Sequence, residues 1–172
     1  MKKSSLTTAV VAGIAGVAGL VSVSNAVNIN PDGLGQVLIY PYYTVNSGNA
    51  TLISVVNTTD EVKAVKVRFL EGRNSQEVLD FNLYLSPFDV WTGAVTGAAE
   101  GSDPIDAAAA VLSTTDKSCT VPAIPAAGQQ FVNFQYAFNN DDGGPYENSR
   151  TREGHIEMIE MGRVSGSLAT AA

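Results

Sequence analysis

Two stretches of this chain alternate between apolar and polar side chains, and the β-strand is the regular element whose side chains change face at every residue. Val65, Val67 and Phe69 alternate with Lys66 and Arg68; after the turn Gly72-Arg73-Asn74-Ser75, Leu79, Phe81, Leu83 and Leu85 alternate with Asp80, Asn82 and Tyr84. Each stretch is therefore predicted to carry one oily face. Pairing them as a hairpin sets Lys66 and Arg68 on the same outer face as Asp80 or Glu77. Such cross-strand ion pairs contribute a few tenths to ~1 kcal/mol each, so they select register more than they stabilise the fold.

Strand character recurs along the chain. Segments 37–45, 51–56, 62–70, 88–95, 119–121, 130–138 and 154–159 are rich in Val, Ile, Tyr, Phe and Thr, with turn residues at short intervals. Helical periodicity is nearly absent, which excludes a parallel sheet with crossover helices. The pattern predicts an all-β fold, an antiparallel β-sandwich (Ig-like or similar) of about seven to eight strands, with a small closed β-barrel as the alternative. A membrane barrel is disfavoured, because the strands carry charge on the face that would meet lipid. Trp91, the single tryptophan, is expected to anchor the core beside Phe69 and Phe81. Residues 96–117 read as a long loop, in which Asp103 caps and Pro104 opens a turn or two of helix over 105–112.

The first 26 residues have the three parts of a secretory signal: Lys2 and Lys3, an apolar stretch from Ala9 to Val23 broken by glycines, and the small residues Ser24 and Ala26 before the expected cut. The stretch falls short of the ~20 residues a spanning helix needs, and no other segment reaches that length. Cleavage removes two lysines and no acid, so the net charge of −7 becomes −9. A field of that sign repels phosphate backbones, so nucleic acid is not an expected partner. The organisation read from sequence is a signal peptide at 1–26, a lead at 27–35, a sandwich domain at 36–162 and a flexible tail at 163–172 that begins a missing downstream region.

Residues able to do chemistry are sparse. His155 is the only histidine and reads as a surface residue between Glu153 and Glu157; no Gly-x-Ser-x-Gly, P-loop or paired-cysteine motif is present. The turn Asn139-Asn140-Asp141-Asp142-Gly143-Gly144 is the most suggestive polar cluster. Asn140, Asp141 and Asp142 can offer oxygens to calcium, but the same residues suit a plain hairpin turn, and the turn is the favoured reading. Glu157 and Glu160 fall on opposite faces of one strand, too far apart for a retaining glycosidase pair; one is expected in solvent and the other on Arg68 or Arg152. Cys119 is a lone cysteine in a chain expected to be exported, so its disulfide partner is sought outside this sequence.

The segments Tyr40-Pro41-Tyr42-Tyr43-Thr44-Val45, 79–91 (LDFNLYLSPFDVW) and 152–162 (REGHIEMIEMG) resemble those of uncharacterised exported and cell-surface proteins of Gram-negative bacteria. That resemblance implies an exported bacterial address and a longer natural chain, and carries no catalytic residue with it. Two functional expectations follow. The first is a non-enzymatic surface or periplasmic sandwich for adhesion or assembly, with itself or other surface proteins as partner and no cofactor. The second is a secreted carbohydrate-binding domain or hydrolase using Trp91, Tyr42, Tyr43, Asp89 and Glu157.

Overall fold

The computed structural model describes residues 30–98, 109–137 and 144–169. Ahead of the main unit, which starts at Gly35, the chain makes a turn in which Gly33 N–H bonds the Asn30 carbonyl at 3.2 Å. The main unit is two antiparallel sheets packed face to face, an all-β sandwich and not a closed barrel. Sheet A has the order β1-β9-β3-β4-β7, built from β1 (Val37–Thr44), β9 (Glu153–Val164), β3 (Val62–Glu71), β4 (Glu77–Leu85) and β7 (Cys119–Val121). Sheet B has the order β2-β5-β6-β8, from β2 (Thr51–Val56), β5 (Val90–Gly97), β6 (Ala110–Ser113) and β8 (Gln129–Gln130). Among the described residues no helix is long and apolar enough to cross a membrane.

The expected hairpin is present. β3 pairs with β4 so that Val67 faces Phe81 and Arg68 faces Asp80. Its apolar face meets the inner face of sheet B, and the core gathers Val65, Val67, Phe69, Phe81 and Leu83 from sheet A with Ile53, Val55, Trp91, Val95 and Leu112 from sheet B. Trp91 is fully buried with its ring 5.9 Å from Phe81; Phe69 lies instead in an aromatic group with Tyr43 and Phe131. Gly93, two residues on and therefore on the same inner face, makes room for the indole. A Cβ there would stand 2.7 Å from the far edge of the Trp91 ring.

Nine strands are present among the described residues, against the seven to eight expected, and β6 is the one that lies where a loop was expected. The expected loop 96–117 is interrupted by β6, where Val111 pairs with Thr96 and Leu112 with Val95. The helical turn expected over 105–112 is thus corrected at its end: Ala110–Ser113 is a strand, and 105–108 lie outside the described residues. The strand expected at 130–138 is also corrected. Phe131 N–H bonds the Ala110 carbonyl of sheet B and Val132 N–H the Val78 carbonyl of sheet A, so this segment crosses between the sheets and then turns at Asn133. The expected tail starts within β9, whose Arg163 and Val164 pair with Lys63 and Val62.

Core position decides the cost of a substitution. Leu83→Ala, at a fully buried site, is expected to lower unfolding free energy by about 2–5 kcal/mol, whereas Ile39→Ala, on a side chain 65% exposed, changes it by less than about 0.5 kcal/mol. Urea unfolding of the two variants beside the parent checks this difference.

Candidate functional site

The outer faces of the two sheets differ in chemistry. On sheet A, Lys66 pairs with Asp80, and Arg68 bonds both Glu77 (2.8 Å) and Glu157 (3.2 Å), so the central strand β3 is ion-paired to each neighbour. The carboxylates, chiefly the Glu77 bond, hold the Arg68 guanidinium above its ordinary range against the opposing effect of burial. Glu157 and Glu160 are both paired, in contrast to the expectation that one of the two would be solvated: Glu157 meets Arg68 and Glu160 meets Lys63 at 2.7 Å.

Sheet B presents no ionisable side chain at all. Its strands read TLISVV, VWTGAVTG, AVLS and QQ. Alternation puts Ile53, Val55, Trp91, Val95, Ala110 and Leu112 inward and leaves Leu52, Ser54, Val56, Val90, Thr92, Ala94 and Ser113 outward. Leu52 is 81% exposed, and Val56 and Val90, directly opposite each other in register, are 51% and 44% exposed. Leu52, Ser54, Thr92, Ala94, Ser113, Thr114 and Ala126 line a groove of about 480 Å³. Asp116, after β6, turns its carboxylate back on the Ser118 hydroxyl and on the N–H groups of Ser118 and Thr92. Burial raises its carboxyl, but those donors outweigh burial and hold it below the usual carboxylate range. The groove therefore offers methyls and hydroxyls, and the acid beside it, Asp116, is spent on Ser118 and on the Thr92 backbone and is a poor base, a lining suited to binding and not to proton transfer.

The edges differ as well. β1 carries Pro41 and a register shift between Tyr40 and Tyr43; β7 is three residues long and β8 two. β2 is six residues with neither proline nor charge. Edge strands of that kind are open to pairing with another chain.

At one end of the sandwich lies a buried ion pair that sequence reasoning did not single out. Glu71, with no exposure, takes two bonds from Arg150, from Nε at 2.7 Å and from Nη2 at 3.1 Å. It also accepts the backbone N–H groups of Arg73, Asn74 and Gln76 at 2.8, 3.1 and 3.0 Å. The guanidinium stands 4.4 Å over the Tyr136 ring and reaches Asn74 Oδ1 at 2.5 Å. Burial raises the Glu71 carboxyl, yet Arg150 and the three N–H groups overcome it and bring it down to about 2. Burial likewise pushes the Tyr43 hydroxyl up; it donates to the Thr151 carbonyl at 2.9 Å. One signal was available: Glu71 continues the inward parity of Val65, Val67 and Phe69.

The residues named for a carbohydrate or hydrolytic site are placed apart. Trp91 and Tyr43 are buried in the core and present no ring to a ligand. Tyr42 is exposed and donates to Glu153 at 3.0 Å, while Asp89, in the β4–β5 turn, accepts from Val90 N–H and from the Ser118 hydroxyl. Glu157 is held by Arg68. His155 lies on β9 opposite Leu70, with no hydroxyl bonded to it among the described residues. Asn140, Asp141 and Asp142 lie outside the described residues, as does the leader 1–26; among the described residues no three His, Cys, Asp or Glu side chains converge on a metal position. Cys119 is exposed, at the first position of the edge strand β7. A second cleft, between the sheets and lined by Leu38, Val55, Asn57, Val65 and the Lys63–Glu160 pair, holds about 140 Å³, small for a substrate pocket.

No protein-family model matches the chain, and neither a curated protein nor a solved structure matches it.

The buried pair generates a pH dependence. Because the folded carboxyl of Glu71 titrates at about 2, below its ordinary value of 4.5, its stabilisation is complete above pH 4.5 and is lost as pH falls toward 2. Glu71→Gln is expected to cost about 3–5 kcal/mol at pH 7 and to flatten this acid limb, since it leaves Arg150 buried without its counter-charge. Urea midpoints of parent and variant between pH 2 and pH 7 read both effects.

Proposed function

We propose that this chain is an exported, non-enzymatic β-sandwich module that works by assembly, using the outer face and open edge of sheet B as its contact surface. The observation that carries this reading is the division of charge: a chain of net charge −7 keeps one whole sheet face free of ionisable groups while ion-pairing the other. Charged residues are depleted at the centre of protein interfaces, and an apolar strip on an otherwise acidic molecule is where two proteins meet at least desolvation cost. The leader-like first 26 residues supply the address, and the same acidity argues against nucleic acid. The carboxylate beside the sheet B lining, that of Asp116, is occupied by Ser118 and the Thr92 N–H and is held below the usual carboxylate range, which favours binding over catalysis.

Expression of the full chain with its leader tests both halves of the reading. The expected product is a protein outside the cytoplasm with a mass beginning at Val27, found in chemically cross-linked complexes. Thr92→Glu, on the outer face of sheet B, should reduce those complexes about tenfold or more, while Asn82→Lys, on the outer face of sheet A, leaves them unchanged. Retention of the leader in the cytoplasm, or equal effects of the two substitutions, contradicts the reading.

A further inference from the structure

Resting on that assembly reading, we propose that the partner is a second copy of the same chain, joined by antiparallel pairing of β2 with β2 about a two-fold axis at Ser54. The backbone directions are fixed by two bonds. Asn57 N–H donates to the Asp89 carbonyl at 2.9 Å, continuing the ladder toward β5, so odd-numbered residues of β2 are spent on that ladder. Ser54 C=O points the other way, where it accepts the Tyr40 hydroxyl at 2.8 Å. Leu52, Ser54 and Val56 therefore direct their backbone groups out of the edge. No described residue pairs with β2 on that side, and the Tyr40 hydroxyl takes one of the two lone pairs of one carbonyl.

That edge is self-complementary. Reversed about Ser54, the outward set Leu52-Ser54-Val56 places Leu52 against Val56 of the second copy and serine against serine, apolar on apolar and hydroxyl on hydroxyl. Pairing adds on the order of six backbone hydrogen bonds and joins two four-stranded sheets into one. The contact is isologous and closes on itself, so it ends at a dimer. Charge sets the salt dependence. Two molecules of the same negative net charge repel, and the strands of sheet B bring no ionisable side chain of their own to the contact. Screening that repulsion must then tighten the dimer, the reverse of what salt does to a contact held by ion pairs. A contact limited to one strand edge is small, so the equilibrium is concentration-dependent.

The test is sedimentation equilibrium of the full chain, expressed with its leader and purified from the fraction it reaches, at about 0.05 and 0.5 M salt, beside a cross-link. Directly opposed residues of a hydrogen-bonded antiparallel pair have Cα atoms ~5.5 Å apart, within disulfide range. Ser54→Cys in a Cys119→Ser background is expected to form a covalent dimer on mild oxidation, at least about tenfold faster than Thr92→Cys in the same background. Leu52→Lys, at an exposed site where folding is not at stake, is expected to raise the dissociation constant about tenfold or more while leaving Trp91 fluorescence unchanged. A monomer at every concentration overturns the proposal, as does a dimer indifferent to Leu52→Lys or equal cross-linking of the two cysteine variants. A complex with a different protein that is sensitive to Thr92→Glu and not to Leu52→Lys overturns the second copy and leaves the assembly reading standing.

Discussion

Glu71 carries its charge into the interior at the end of β3, and five donors converge on it: two from Arg150 and three from the backbone of the turn that leads to β4. Such a carboxylate is tolerated because every lone pair is used, and removal of the guanidinium would leave an uncompensated charge in the core. The consequence is positional. Arg150 sits in the 3₁₀ turn Asn148–Arg152 immediately before β9, so anchoring it to the end of β3 sets the register of β9 against β3. Gly154 reinforces that choice, since a Cβ there would collide with the Leu70 carbonyl oxygen and stand 2.9 Å from Glu71 Cα. β9 lies between β1 and β3, so most of sheet A follows from this one junction. The same turn holds sheet B, through the Thr151 hydroxyl that accepts Ala110 N–H at 3.0 Å.

The sandwich divides labour between its two outer faces. Sheet A spends its charges on one another across β3, β4 and β9, which specifies register at modest energetic gain. Sheet B has none to spend, and its stability rests on the inner face, where Trp91, Val95 and Leu112 are shielded completely. Its outer face is left to hydroxyls and methyls, and its β2 edge to the open backbone groups of Leu52, Ser54 and Val56. An acidic chain can meet another molecule through such a face without bringing acids together, and this links the fold to the proposed assembly.

Legibility in the sequence followed the strength of local alternation. β3 and β4 were readable because Val65-Lys66-Val67-Arg68-Phe69 and its partner repeat with a period of two, and the burial of Trp91 followed from its size. β6 was not readable: Ala107 to Ala110 has high helix propensity behind Asp103-Pro104, and Ala110–Ser113 became a strand because β5 offered a ladder to pair with. The strand-like composition of 130–138 misled in the opposite sense, since that segment crosses from one sheet to the other and turns. Glu71 and Arg150 are 79 positions apart, and no local pattern connects them. The uncharged runs of β2, β5 and β6 were visible, but that they form one face depends on long-range strand order.

Amide hydrogen exchange at β2, read residue by residue at two protein concentrations, tests the central claim most directly, because it reports on the edge itself. If sheet B is the contact surface and β2 its open edge, the amides of Leu52, Ser54 and Val56 exchange freely in dilute solution and become protected as concentration rises. Those of Ile53 and Val55, which face β5, stay protected throughout. Protection of the Leu52, Ser54 and Val56 amides that is equally strong at both concentrations, or absent at both, would contradict the account.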